Sequence, residues 1–262
     1  MSAPISKTTG IARFGKAKGL IVPALILVLW EVSVHLQWMP STLLAPPEKV
    51  VTAFWELAKT GDLWNNLGIS FYRVVKGFLL GTSLGFAFGI LLGVSKQAEE
   101  LIGPTLHGIR QVPLLGWMPL IILWFGIGEF SKVVFIAIGA FFPTLLNTSI
   151  GIRGVSREYL EVGKVYQLSK LRLLGLVIIP AALPSIVSGI RLSIGLSWLL
   201  VVGAELIAAN SGLGQMMTNA REMFQTDVLM VGILVIGLVG LIIDLTIRRV
   251  EARLVAWRQD AK

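Results

Sequence analysis

Apolar residues gather into long runs separated by short polar punctuation, with little of the strict alternation that marks strands. Six runs come close to the ~20 residues a helix needs to cross a bilayer: 19–38, 68–94, 104–126, 131–152, 176–208 and 228–247. Hydrocarbon offers no water to backbone N–H and C=O groups, so each run is expected to be a helix that closes its own hydrogen bonds. A closed barrel would need short alternating strands, which the pattern lacks. The expected fold class is therefore all-α: an integral membrane protein of six transmembrane helices, one domain over residues 1–262.

Two polar interruptions are more than plain loops. Between the first two runs, "APPEKVVTAFWELAKTGDLWNNL" opens on Pro-Pro, carries Glu48 early, and places Val50, Val51, Phe54, Leu57 and Ala58 at helical spacing. It predicts a short amphipathic helix lying on the outer membrane surface. Residues 153–175 form the second interruption. There Ser156 can cap a helix with Glu158 and Glu161 in its first turns, and Val162, Val165 and Tyr166 share one face. On pattern alone this ridge fits either a groove on a partner or a resting place on lipid headgroups.

Inside the second run, Gly77, Gly81, Gly85, Gly89 and Gly93 recur every fourth residue. Five glycines in register make a smooth stripe on which another helix can lie backbone to backbone. Thr82 and Ser83 beside it leave a lining role open. No G-x-x-x-x-G-K-[ST] stretch occurs, so the chain is expected to hold no nucleotide of its own.

Composition agrees with a membrane protein: 55% of residues are hydrophobic and only 15% charged, with a mean hydropathy of +0.78. There is no cysteine, which removes disulfides and thiolate metal sites. The net charge of +8 would suggest nucleic acid in a soluble protein. Here it sorts by side. With the N-terminus inside, fifteen Lys and Arg fall on cytoplasmic segments and four outside, so both termini are expected in the cytoplasm and no nucleic-acid partner is inferred. The cytoplasmic set is the tail 1–18, Lys96, the segment 153–175 and the tail 248–262. The basic start followed by the run Leu20 to Trp38 resembles a signal peptide. That run is too long for one, contains Glu31 and His35, and lacks a small-residue cleavage site, so it is expected to stay as the first span.

The interruption at 153–175 also resembles the EAA signature of ABC-importer permeases, E-A-A-x3-G-x9-I-x-L-P. It matches at Glu161, Gly163, Val177, Ile179 and Pro180, and departs at Val162 for Ala and at Gln167 for Gly. Runs such as "PLIILWFGIGEFSKV", "FFPTLLNTSIGIR" and "LPSIVSGIRLSIGLSWLLVVGAELIAANSGLG" look like the permeases that import aliphatic sulfonates, taurine or nitrate. The stretch from "NSGLG" to "AREMFQTDV" is most similar to the aliphatic-sulfonate members. The resemblance implies a type I ABC importer permease fold in the bacterial cytoplasmic membrane. It also implies a second copy of the permease, a cytoplasmic ABC ATPase dimer, and a periplasmic or lipid-tethered binding protein. It gives Glu161, Val162, Gly163, Val165, Tyr166, Gln167 and Leu168 to the coupling helix that enters the ATPase. Pro180 and Pro184 are expected where this lever meets the span.

The substrate route is less visible. Its candidates are Asn147, Thr148 and Ser149; Arg191, Ser193, Ser197 and Trp198; and, on the third run, His107, Arg110 and Gln111. Arg191 reads better as snorkelling to headgroups than as a substrate contact. Glu205 would repel an anion and fits better at a gate or at the binding-protein contact. His35 and His107 lie on separate runs, so no metal site is expected, and no cofactor. A stand-alone channel or secondary transporter stays open as a different class, although no internal repeat is evident. A membrane-embedded enzyme lacks paired carboxylates or an HExxH motif.

Overall fold

A computed structural model describes residues 21–38, 40 and 43–254; the N-terminal basic tail and the last residues of the C-terminal tail lie outside them. All regular structure among these residues is helical: α1 Ile21–His35, α2 Pro47–Thr60, α3 Asp62–Val94, α4 Lys96–Gln111, α5 Met118–Phe125, α6 Glu129–Arg153, α7 Arg157–Val165, α8 Lys170–Ala208, α9 Leu213–Glu222 and α10 Thr226–Leu254. Four of them, α3, α6, α8 and α10, are long and apolar enough to span a bilayer. The apolar helix α1 is shorter, at 15 residues.

The third expected span, 104–126, is not one rod. Pro113 disfavours the helical region for the residue before it, and Val112 is extended at φ −71°, ψ 125°. The chain bends by 94° between α4 and the segment Leu114–Phe125, and Gly126, at φ +76°, closes that segment. The hydropathy window averages over the break, which is why the run looked continuous.

At the centre, α3, α6 and α8 pack together. A Cβ on Gly81 would collide with the Ala137 carbonyl, and one on Gly85 with that of Phe141, so α3 lies almost backbone to backbone on α6. Gly77, Gly89 and Gly93 meet Ile136, Thr148 and Ile152 in the same way. The opposite side of α6 approaches α8 through Gly139, which faces Leu200, and through Gly189, which faces Asn147 and the Pro143 carbonyl. Small residues on both faces let one helix be gripped by two others.

The amphipathic helix α2 turns Val50 and Ala53 fully inward, with Phe54, Leu57 and Ala58 against the same core, while Val51 is left exposed. One face of α2 therefore packs on protein. Gly61, at φ +86°, turns the chain directly from α2 into α3, so the second span starts helical at Asp62 rather than at 68. Trp30 ties α1 to this corner by donating from Nε1 to the Ala45 carbonyl at 3.0 Å.

Candidate functional site

Three features lie at different depths along α3, α6 and α8: a polar cluster at one end, a cavity near the middle, and a protruding helix at the other end.

The cluster centres on Arg73, whose side chain is 1% exposed. Its guanidinium makes a bidentate pair with Glu129 (Nε to Oε2 2.7 Å, Nη2 to Oε1 2.6 Å) and reaches Glu205 from Nη1 at 2.7 Å. The remaining donors go to the Ser211 carbonyl at 2.7 Å and its hydroxyl at 3.0 Å, so all five N–H groups are used. Glu205, fully buried, also accepts from the Ser70 hydroxyl at 2.8 Å and from the Gly214 N–H in the first turn of α9 at 2.9 Å. Lys132 adds a bond to Glu129 at 3.0 Å. Two cations and two carboxylates cancel, and the site closes over backbone: Gly212 sits at φ +105°, and a Cβ there would strike the Glu205 carboxylate. Sequence reading placed Glu205 at a gate without finding its partner, because Arg73 is 132 residues away. The available signal was that both are ionisable residues inside apolar runs, each of which needs an opposite charge.

Near the middle, a cavity of about 430 Å³ opens beside the bend at Pro113. Arg110 and Asn147 supply its polar wall; Trp117, Phe142, Leu192 and Leu196 supply most of the rest. Of the residues expected on the route, Asn147 and Arg110 reach this space. Ser193 and Ser197 do not: both are fully buried, with Ser193 donating to the Ala140 carbonyl at 2.7 Å and Ser197 to the Ser193 carbonyl at 2.8 Å. Trp198 donates from Nε1 to the Ile236 carbonyl at 3.0 Å, which joins α8 to α10. Thr148 packs on Gly89, and Ser149 accepts from Arg153 at 2.7 Å. Arg191 does not line the cavity; it pairs with Glu251 at 2.8 Å and Asp244 at 3.1 Å on α10. Helical spacing leaves open which neighbour a polar face meets, and here that neighbour is another helix of the same chain.

At the far end from Arg73, α7 stands out beyond α6. Tyr159, Val162, Val165 and Tyr166 are each more than half exposed, which is unusual for a cluster of this size unless something covers it. Gly163 is buried because Leu173 occupies the space a Cβ would need, so α7 is seated on the start of α8. The helix ends in a Schellman turn: Leu168 N–H bonds the Gly163 carbonyl at 3.0 Å and Gln167 N–H the Lys164 carbonyl at 2.9 Å. Gln167 takes φ +53°, the left-handed conformation that the family glycine would adopt without strain. Beyond it, Ser169 caps α8 at the Arg172 N–H, and the helix runs through a π turn at Leu174–Ile178 into Pro180. Helix α7 and the span thus separate at Gln167–Ser169, whereas at Pro180 the helix continues from the wider π turn.

A β-branched residue tolerates the left-handed region worse than Gln does. Gln167→Val is expected to speed hydrogen exchange at the Leu168 amide by roughly tenfold, for a cost on the order of 1–2 kcal/mol, and Gln167→Gly to leave it as slow or slower. Equal exchange in the three proteins would remove the strain from Gln167.

No metal site was expected, and Glu31, His35 and Glu48 are the group whose ligand atoms come within 4.8 Å of one another among the described residues. They are largely exposed, and His35 bonds Glu31 at 2.7 Å as an ordinary helical pair.

Comparisons with known proteins fit this geometry. Residues 77–256 match the family model described as binding-protein-dependent transport system inner membrane component. The putative aliphatic sulfonates transport permease protein SsuC of Bacillus subtilis (strain 168) is 44% identical over 256 residues, covering 98% of this chain and 93% of that protein. Its namesake in Escherichia coli (strain K12) is 42% identical over 236 residues, 90% of each. Among solved structures, an inward-facing MetNI methionine ABC transporter chain superposes with a TM-score of 0.61 at 18% identity, covering 76% of this chain and 96% of that one.

Proposed function

This chain belongs to the family of binding-protein-dependent transport system inner membrane components, and from that premise we propose that it is the permease subunit of an ATP-driven importer carrying aliphatic sulfonates across the cytoplasmic membrane. One observation carries the substrate: identity to two aliphatic-sulfonate permeases, 44% and 42% over 98% and 90% of the chain, exceeds the 32% over 91% shared with a taurine permease. The permease has no phosphate-binding loop, so energy must arrive from outside. The exposed apolar face of α7, held rigidly against α8 through Gly163 and Leu173, suits that input. A displacement imposed on α7 passes into α8 and from there to α6, with which α8 is in close contact.

In this reading the complex holds two permeases, a cytoplasmic ATPase dimer at α7, and a binding protein at the opposite end, where the Arg73 cluster lies. Both termini are cytoplasmic, an arrangement supported by the excess of basic residues on that side. Each ligand must favour one conformer for transport to be coupled.

Reconstitution with the two partners tests the function. ATP turnover is expected to rise with a binding protein loaded with an alkanesulfonate and to stay near its basal rate with nitrate or taurine. Stimulation by nitrate or taurine alone would replace the substrate, and uptake by the permease without nucleotide or partners would point to a channel. At the interface, Glu161→Lys reverses an exposed charge on α7 and is expected to weaken ATPase co-purification by on the order of tenfold while membrane insertion is unchanged. Wild-type association and transport would free Glu161 from the interface.

A further inference from the structure

The bend at Val112–Pro113 leaves backbone outside regular helix in a segment that the apolar pattern puts at membrane depth. Such backbone persists where protein buries it or where it lines a polar cavity. The cavity of about 430 Å³ lies against it, and its walls come from the middle of α6 (Phe142, Asn147) and of α8 (Leu192, Leu196). Its volume falls in the range of roughly 300–1,000 Å³ typical of small-molecule sites.

Charge is what gives the cavity a preference. Arg73, Arg153 and Arg191 are each held by carboxylates of this chain. Arg110 has no ion pair and no side-chain hydrogen bond among the described residues. Glu99, which with Arg110 borders a smaller adjoining hollow, gives Oε1 to Arg153 at 2.9 Å and keeps Oε2 buried without a partner among the described residues, outside the larger cavity. Asn147 spends one amide donor on the Pro143 carbonyl at 2.9 Å, and no carboxylate lines the larger space. Arg110 is exposed, so the cavity offers a solvent-accessible guanidinium without an ion pair beside a mostly apolar wall.

We propose that the Arg110 cavity is a substrate station on the permease itself, which takes an organic anion by its charged head at Arg110 and its alkyl tail against Trp117, Phe142, Leu192 and Leu196. The assignment rests on the transport role proposed above and deepens it: the membrane subunit, as well as the binding protein, discriminates among substrates. A guanidinium meets two oxygens of a sulfonate at once. A zwitterion such as taurine would bring an ammonium group that no carboxylate in the lining of this cavity receives, beside an apolar wall that does not solvate it. A small inorganic oxyanion would leave the apolar wall unused.

The test uses the full reconstituted complex, with one binding protein saturated in turn by pentanesulfonate, methanesulfonate and taurine, and reads uptake and ATP turnover in the same vesicles. Arg110→Gln is expected to lower pentanesulfonate uptake about tenfold or more, as for loss of a charge-assisted hydrogen bond, while loaded binding protein still stimulates ATP hydrolysis. Arg110→Lys, which keeps the charge without the fork, should recover part of that uptake. Leu196→Asn should erode the preference for pentanesulfonate over methanesulfonate. Uptake by Arg110→Gln at the wild-type rate, or equal loss of uptake and ATPase stimulation in both Arg110 variants, overturns the cavity assignment and leaves the transport role standing. Failure of the unaltered complex to import any sulfonate overturns the proposed function and this assignment together.

Discussion

Arg73→Met is expected to destabilise the purified protein by about 3–5 kcal/mol, the cost of removing one member of a buried ion pair and leaving its partner uncompensated. Glu205 is the partner left behind. It is fully buried, and its remaining contacts, the Ser70 hydroxyl and the Gly214 N–H, are neutral dipoles that cannot replace a guanidinium. Glu129 suffers less, because its side chain is 59% exposed and Lys132 remains beside it. The asymmetry makes the prediction specific. Glu205→Gln alone should also destabilise, since it removes one of the two carboxylates that balance buried Arg73, but Arg73→Met with Glu205→Gln should cost clearly less than the two single losses added. Thermal unfolding of the detergent-solubilised protein, read as a double-mutant cycle, measures this. Additive losses would mean that the pair is not energetically coupled. Failure of Arg73→Met to lower the midpoint would remove the cluster as the clasp of α3, α6 and α8.

Gly81→Ala should be the most damaging of the smallest possible changes. Alanine ordinarily favours a helix over glycine by roughly 0.5–1 kcal/mol. At Gly81 the added methyl would fall on the Ala137 carbonyl, and that atom is backbone, with no rotamer through which to escape. Either α3 or α6 must shift, and the expected net loss is about 1–3 kcal/mol, as for overpacking of a tight core. The same helix carries its own control. A Cβ at Gly68 meets nothing within 4 Å, so Gly68→Ala should be neutral or slightly stabilising. Unfolding midpoints that fall for Gly81→Ala and hold for Gly68→Ala would establish backbone contact as the cause. Equal behaviour of the two would mean that α3 and α6 pack less closely than the structure shows.

Much of the architecture is legible in the sequence because it depends on local pattern. Burial in lipid obliges each long apolar run to be helical, so hydropathy alone locates α3, α6, α8 and α10. The four-residue recurrence of glycine is likewise a statement about one helix face, and α6 lies along it at contacts too short for any side chain. The charged segment around Glu161 was visible because it is polar where its surroundings are not. Pro113 stands inside the run 104–126, and the residue before it, forced out of the helical region, bends a span that remains apolar on average.

The sequence by itself determined that the chain is helical and membrane-embedded, where its glycine face lies, and which polar segment interrupts its apolar pattern. Each of these follows from neighbours a few residues apart. Only the tertiary structure decided that Arg73 belongs to Glu205 and Glu129, that Ser193, Ser197 and Trp198 serve packing, that Arg191 binds α10, and that Arg110 is left facing a cavity. Those outcomes turn on which side chains meet across helices far apart in the chain. A buried charge or donor must find some partner, but its own sequence neighbourhood does not say which one.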